Sequence, residues 1–163
     1  MSLEAHVSLV TEWLDSVDVE SAPARMTAMQ EQNVAKDTGG MTASARGEIA
    51  RTAMHEASHA VVAYGWGLNV GRVCVREDAS GSAAYEADEA QADAMLGAVL
   101  ADLAGICCEV ISGDADRARQ FKLQHCHDVL AARLNADACR ALAPGWALSN
   151  RTFAALAFCS VLS

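Results

Sequence analysis

Basic residues are scarce in this chain. Against 21 Asp and Glu it has only 12 Lys and Arg, a net charge of −9 with a pI near 4.9. A nucleic-acid binder needs a basic stripe along the phosphates, so that class of partner is not expected. Cysteine is present six times, at Cys74, Cys107, Cys108, Cys126, Cys139 and Cys159, yet no CxxC pair occurs and no secretory leader is legible. Reduced thiols in a cytosolic protein are the expectation, with no structural disulfide and with Cys107, Cys126 and Cys159 serving as small hydrophobes in helical runs. Long uninterrupted apolar runs are also missing. Asp93, Asp102 and Glu109 break the longest one, and the stretch from Thr152 to Leu162 is too short to cross a bilayer, so no membrane association is expected. What remains is a chain of 163 residues, 52% hydrophobic, long enough to bury a core in one domain without covalent staples.

Proline is absent from Ala45 to Trp66, which leaves room for one continuous helix. Inside it, residues 55–59 read His-Glu-Ala-Ser-His. Four residues apart on a helix of 3.6 residues per turn, His55 and His59 project from one face and can grip one metal ion, with zinc the expected occupant. Glu56 lies about 100° further round the axis, suited to working on a water as general base rather than to completing the ligand set. Ala50, Ala53, Met54, Ala57, Val61 and Tyr64 gather opposite the histidines, and this is the face expected to pack.

Elsewhere the chain divides into a tail, residues 1–43, and a compact unit, residues 44–163. In the tail, Leu3, Val7, Val10, Leu14 and Val17 recur at spacings of four and three. That narrow seam predicts a helix that packs on its own domain, or else on a second copy or a partner helix. Residues 21–43 are polar, end in Gly39-Gly40 and read as a linker. His6 is expected in solvent. After the HExxH helix, Gly65 and Gly67 stop the pattern, and Val70 to Glu77 predicts a strand with Val73 and Val75 on its apolar side. A second strand is expected from Ala83 to Glu86, beyond a Ser80-Gly81 turn. Helices are expected over Gln91 to Ser112 and Ala115 to Asn135, the latter with Leu123, Leu130 and Leu134 inward. Pro144-Gly145 then marks a break before a last helix from Ser149 to Leu162. The fold class is mainly α (α+β), with a small sheet of two or three strands.

The strings HEASHAVVAYGWG, VGRVCV, LAGICCEVISG and HDVLAARL, in that order from Met54 to Leu134, resemble the peptidase module of the FtsH-type membrane proteases, the M41 zinc metallopeptidases. The resemblance implies a zincin-like helical peptidase domain holding one zinc ion. Position by position it implies His55 and His59 as metal ligands, Glu56 as the catalytic base and Asp128 as the third ligand. Glu109 falls where the family carries a glutamate near its metal, which implies a hydrogen bond to a ligand histidine. Departures are evident. Ser58 stands in place of the family's glycine, Ile106 in place of its arginine, and His127 in place of the asparagine before the aspartate; no GxxxxGK[ST] loop and no ATPase segment is seen.

Read from the residues alone, the third ligand stays open. His125, Cys126 and His127 crowd the turn around Asp128, and Glu109 is a further contender. A carboxylate would complete the His₂-carboxylate set of a hydrolytic site, whereas sulfur would favour a closed structural one. Two functional expectations result: a cytosolic zinc-dependent peptidase acting on peptide or unfolded polypeptide, and a catalytically silent metal-binding or regulatory module on the same fold. For the first, residues 72–76 offer an edge strand on which a peptide can add, with Arg72 and Arg76 favouring acidic sequences.

Overall fold

The computed structural model describes residues 2–17, 43–113 and 126–163. In chain order these form α1 (Leu3–Ser16), α2 (Ala43–Gly65), β1 (Asn69–Val75), β2 (Gly81–Glu86), α3 (Ala92–Ile111), α4 (Cys126–Leu142), a 3-10 turn at Pro144–Trp146, and α5 (Asn150–Leu162). The protein is thus mainly helical, and among the described residues its sheet is a single antiparallel pair. The linker expected over 21–43 lies almost wholly outside the described residues, as do Leu123 and His125.

Helix α3 is the centre. Every residue from Met95 to Cys107 is buried, because α1, α2, α4 and α5 all pack against it. Contrary to the reading of its three carboxylates as interruptions, α3 is long and apolar enough to cross a bilayer. In this structure the chain's own helices wrap it instead. The seam of α1 joins this core through Val7, Val10 and Leu14, with Leu9 beside them, while Leu3 is left exposed. Side-chain ties hold α1 in place. Asn150 donates to Asp15 (2.7 Å), Arg133 donates to the Leu14 carbonyl (3.1 Å), and Arg151 pairs with Glu4. His6, expected in solvent, is half-buried with its ring stacked on Phe158.

The expected orientation of α2 is inverted. Met54, Val61 and Tyr64 are 56%, 68% and 79% exposed, and Ala50, Ala53 and Ala57 are exposed as well. The histidine side is the covered one, because α3 lies across it and the β hairpin flanks it. Helix α2 ends where Gly67 takes a φ of 75°. The amide of Leu68 reaches the Ala63 carbonyl and that of Gly67 the Tyr64 carbonyl, closing the last turn and sending the chain into β1.

Strand β1 begins one residue earlier and ends two earlier than expected, and β2 starts at Gly81 because the turn lies before it. The ladder slips by one residue between Val70 and Val73. With the alternation broken there and cover on one side only, Val73 is exposed rather than packed. Strand β2 alternates cleanly, turning Gly81, Ala83 and Tyr85 inward. Helix α4 runs seven residues past Asn135, where Asp137 pairs with Arg133 and Arg140, and it stops just ahead of Pro144. Leu130 is buried as expected, but Leu134 faces solvent; Val129, Ala132, Ala136 and Cys139 carry the buried side. Ser149 caps α5 by accepting from the Thr152 amide.

Two substitutions separate the observed burial from the expected one. Phe153, fully buried, is expected to cost about 3–5 kcal/mol when changed to Ala. Val61→Ser, on the face that periodicity alone would bury, is expected to stay within about 0.5 kcal/mol of the parent. Urea denaturation checks both, and a loss of 2 kcal/mol or more at Val61 (on the order of a buried side chain) would contradict the orientation of α2.

Candidate metal centre

Four elements converge on one point. Helix α2 brings His55, Glu56 and His59, all nearly buried, and α4 brings Asp128 in its first turn. Asp128, 73 residues beyond His55 in sequence, places Oδ2 3.0 Å from His55 Nε2 and 3.7 Å from His59 Nε2. One ligand atom from each of the three side chains lies within 4.8 Å of the others. Ligands bound tetrahedrally at zinc–N and zinc–O lengths of about 2.0–2.1 Å stand roughly 3.3 Å apart, and the two carboxylate–imidazole distances bracket that value.

The other face of each ring is already committed. His55 Nδ1 donates to Glu109 Oε1 (2.9 Å), and His59 Nδ1 donates to the backbone carbonyl of Ala101 (2.6 Å). Such bonds fix ring orientation and leave Nε2 as the atom that can bind a cation. Glu109, a contender for third ligand on sequence, therefore sits behind His55 as its orienting partner. His125 lies outside the described residues, and so does the side chain of Cys126.

Clearance in front of the two Nε2 atoms is kept by α3. A Cβ built on Gly105 would stand 2.5 Å from His55 Nε2 and 2.6 Å from His59 Nε2, so only glycine keeps this pocket open. Gly81 plays the same part at the start of β2, where a Cβ would come within 2.6 Å of Glu56 Oε1. Thr52, one turn before Glu56, donates to the Ala79 carbonyl (2.9 Å) and so pins the hairpin turn against α2. Sequence reasoning missed Ala101, Gly105 and Gly81. The one signal was glycine inside an apolar helix, which costs about 1 kcal/mol relative to alanine and needs a reason.

Electrostatics match the geometry. Burial pushes the His55 imidazolium toward losing its proton, but the carboxylates of Asp128 and Glu109 outweigh it and raise its pKa to about 10. His59 is raised as well, with burial opposing and Asp128 prevailing. Burial would lift Asp128, yet hydrogen bonds from both histidines hold its carboxyl well below the usual range. Glu56 is raised, chiefly by burial and against the pull of the two imidazoles, which moves it toward the range of a working base. Two imidazoles with one carboxylate form a donor set that fits zinc.

No protein-family model matches the chain, and no curated protein or solved structure does either.

Two outcomes are expected of this centre. Gly105→Ala should weaken zinc binding on the order of 100-fold or more with circular dichroism unchanged, since the added methyl occupies the ion's place. Because His55 is protonated below a pKa of about 10, an ion binding at Nε2 must displace that proton. Zinc affinity should therefore strengthen as pH rises through neutrality, and calorimetry at pH 7 in buffers of different ionisation enthalpy should register proton release. Buffer-independent heats would contradict the assignment of His55.

Proposed function

We propose that this chain is a zinc-dependent peptidase of the M41 type, in which His55, His59 and Asp128 hold the metal and Glu56 is the catalytic base. The observation that carries the reading is the approach of Asp128 to both Nε2 atoms from a separate helix, beside a glycine whose missing side chain keeps the space before those atoms clear. Support also comes from the two Nδ1 bonds, which orient the imidazoles before any ion arrives. When bound, zinc supplies the Lewis acidity that activates water and polarises a peptide carbonyl.

Glu56 does the proton work. As the water oxygen bonds to the carbonyl carbon, Glu56 takes the water proton; as the C–N bond breaks, it passes that proton to the departing amine. Its raised pKa favours the first half, since a carboxyl lifted above its ordinary range by burial is the stronger base toward the water proton. Peptide or unfolded polypeptide is the proposed substrate class. A second reading, a metal-binding module without activity, draws on one observation: Glu56 is only 9% exposed, with the backbone of Gly81 close over it.

Glu56→Gln separates the two. Under the peptidase reading, zinc-loaded wild type cleaves an unfolded protein such as casein, and the variant keeps its zinc while losing at least about 10²–10⁴-fold in rate. Wild type that holds zinc and cleaves nothing would favour the silent module.

A further inference from the structure

Asp102 is a buried carboxyl that the metal site does not use. It is 6% exposed in the middle of α3, and both of its oxygens are taken: Oδ1 accepts from the Tyr85 hydroxyl on β2, and Oδ2 accepts from Asn135 Nδ2 on α4 (2.8 Å). One side chain thus ties together the three elements that close around the histidine face of α2. Its position along α3 is equally specific. The preceding residue, Ala101, receives His59 Nδ1, and one turn later comes Gly105 beneath both Nε2 atoms. On α4, Asn135 follows Asp128 by seven residues, so both lie on one side of that helix, about 10.5 Å apart along its axis.

Helix α4 has other side-chain ties, from Arg133 to the Leu14 carbonyl, from Arg140 to the Leu148 carbonyl and from the weak Cys139 thiol to the Ala92 carbonyl, but the two arginine ties rest on long side chains that can follow a shift of the helix. Below Val129 and Leu130 the buried side it presents is small, with Ala132, Ala136 and Cys139. Small residues let helices approach closely but form shallow ridges, so apolar packing alone discriminates weakly between neighbouring registers. A hydrogen bond from the half-buried Asn135 to the buried Asp102 discriminates more strongly, because a slip of α4 takes the donor away from Asp102 Oδ2 and leaves that oxygen unpaired in the interior. The stakes at the site are large: a slip of one residue moves α4 about 1.5 Å along its axis and turns it about 100°. Asp128 would then no longer face the two imidazoles.

We propose that the Asp102–Asn135 hydrogen bond is the register pin of α4, and that through it Asp102 and Asn135 act as positioning residues for Asp128 at the metal centre. The inference rests on the metal reading given above. It differs from a role in stability, since a buried polar pair replaced on both sides by apolar groups of similar volume often leaves a fold as stable as before. Tyr85 makes the equivalent tie to β2, the strand that covers Glu56.

Zinc affinity, measured by competition with a chromogenic chelator, tests the proposal. Asn135→Leu is expected to weaken zinc about 10–100-fold while the helical circular dichroism is retained. In an Asp128→Ala background the same change should add nothing further, because Asn135 acts through Asp128. Asn135→Asp keeps the volume but sets two carboxylates face to face and should lose zinc; adding Asp102→Asn reverses the pair and should restore affinity to within about threefold of wild type. That exchange keeps the test decisive if Asn135→Leu does not fold. Equal affinity in Asn135→Leu and wild type, an undiminished effect in the Asp128→Ala background, or no restoration by the exchange would each overturn the pin. Wild type that binds no zinc would instead sink the metal reading, and the pin with it.

Discussion

A carboxylate held between two buried imidazoles governs how this chain is arranged. Asp128, His55 and His59 are each costly to remove from water alone, and in contact they offset one another's desolvation. Bringing them together requires a covered, dry face on α2, and that requirement decides which side of the helix turns inward. The apolar side, from Ala50 to Tyr64, is displaced to the surface as a result. Hydrophobic burial is supplied elsewhere, by the shell of helices around α3.

Helix α3 joins core and site. Its apolar surface gathers α1, α2, α4 and α5, and the same segment lends the centre a carbonyl at Ala101, a clearance at Gly105 and a carboxylate at Glu109. These groups lie on successive turns of one rigid helix, so the backs of both imidazoles and the floor beneath them are positioned together. Rigid elements hold a site more tightly than loops do. The hairpin completes the enclosure from the other side, with Gly81 over Glu56 and Tyr85 bonded to Asp102.

Much of this was legible in the residues, and the failures have physical causes. The spacing of His55, Glu56 and His59 marks a helix and a candidate cation site because imidazoles four apart must share a face. Gly67 marks a helix end because its left-handed φ is open to glycine. Periodicity shows that α2 has two faces but not which one is covered; the contacts of His55 and His59 with Asp128, Glu109 and Ala101 reverse the preference that Val61 and Tyr64 would otherwise impose. Leu134 on α4 failed likewise, since small residues at Ala132 and Ala136 let that helix come close to α3. Asp128 came from a resemblance of short motifs, and its approach to the histidines is a fact of tertiary structure. The Ala101 carbonyl is backbone, which carries no letter in a sequence. Asp102 looked like an interruption of an apolar run, because its partners lie 17 and 33 residues away.

The central claim is a metal centre built from two imidazoles and the carboxylate of Asp128, and X-ray absorption at the zinc edge of the zinc-loaded protein tests it most directly. The account predicts about one zinc per chain with a nearest shell of nitrogen and oxygen only, at about 2.0–2.1 Å, and the outer-shell scattering of two imidazole rings. A sulfur shell near 2.3 Å, or a protein that retains no zinc at all, would contradict it.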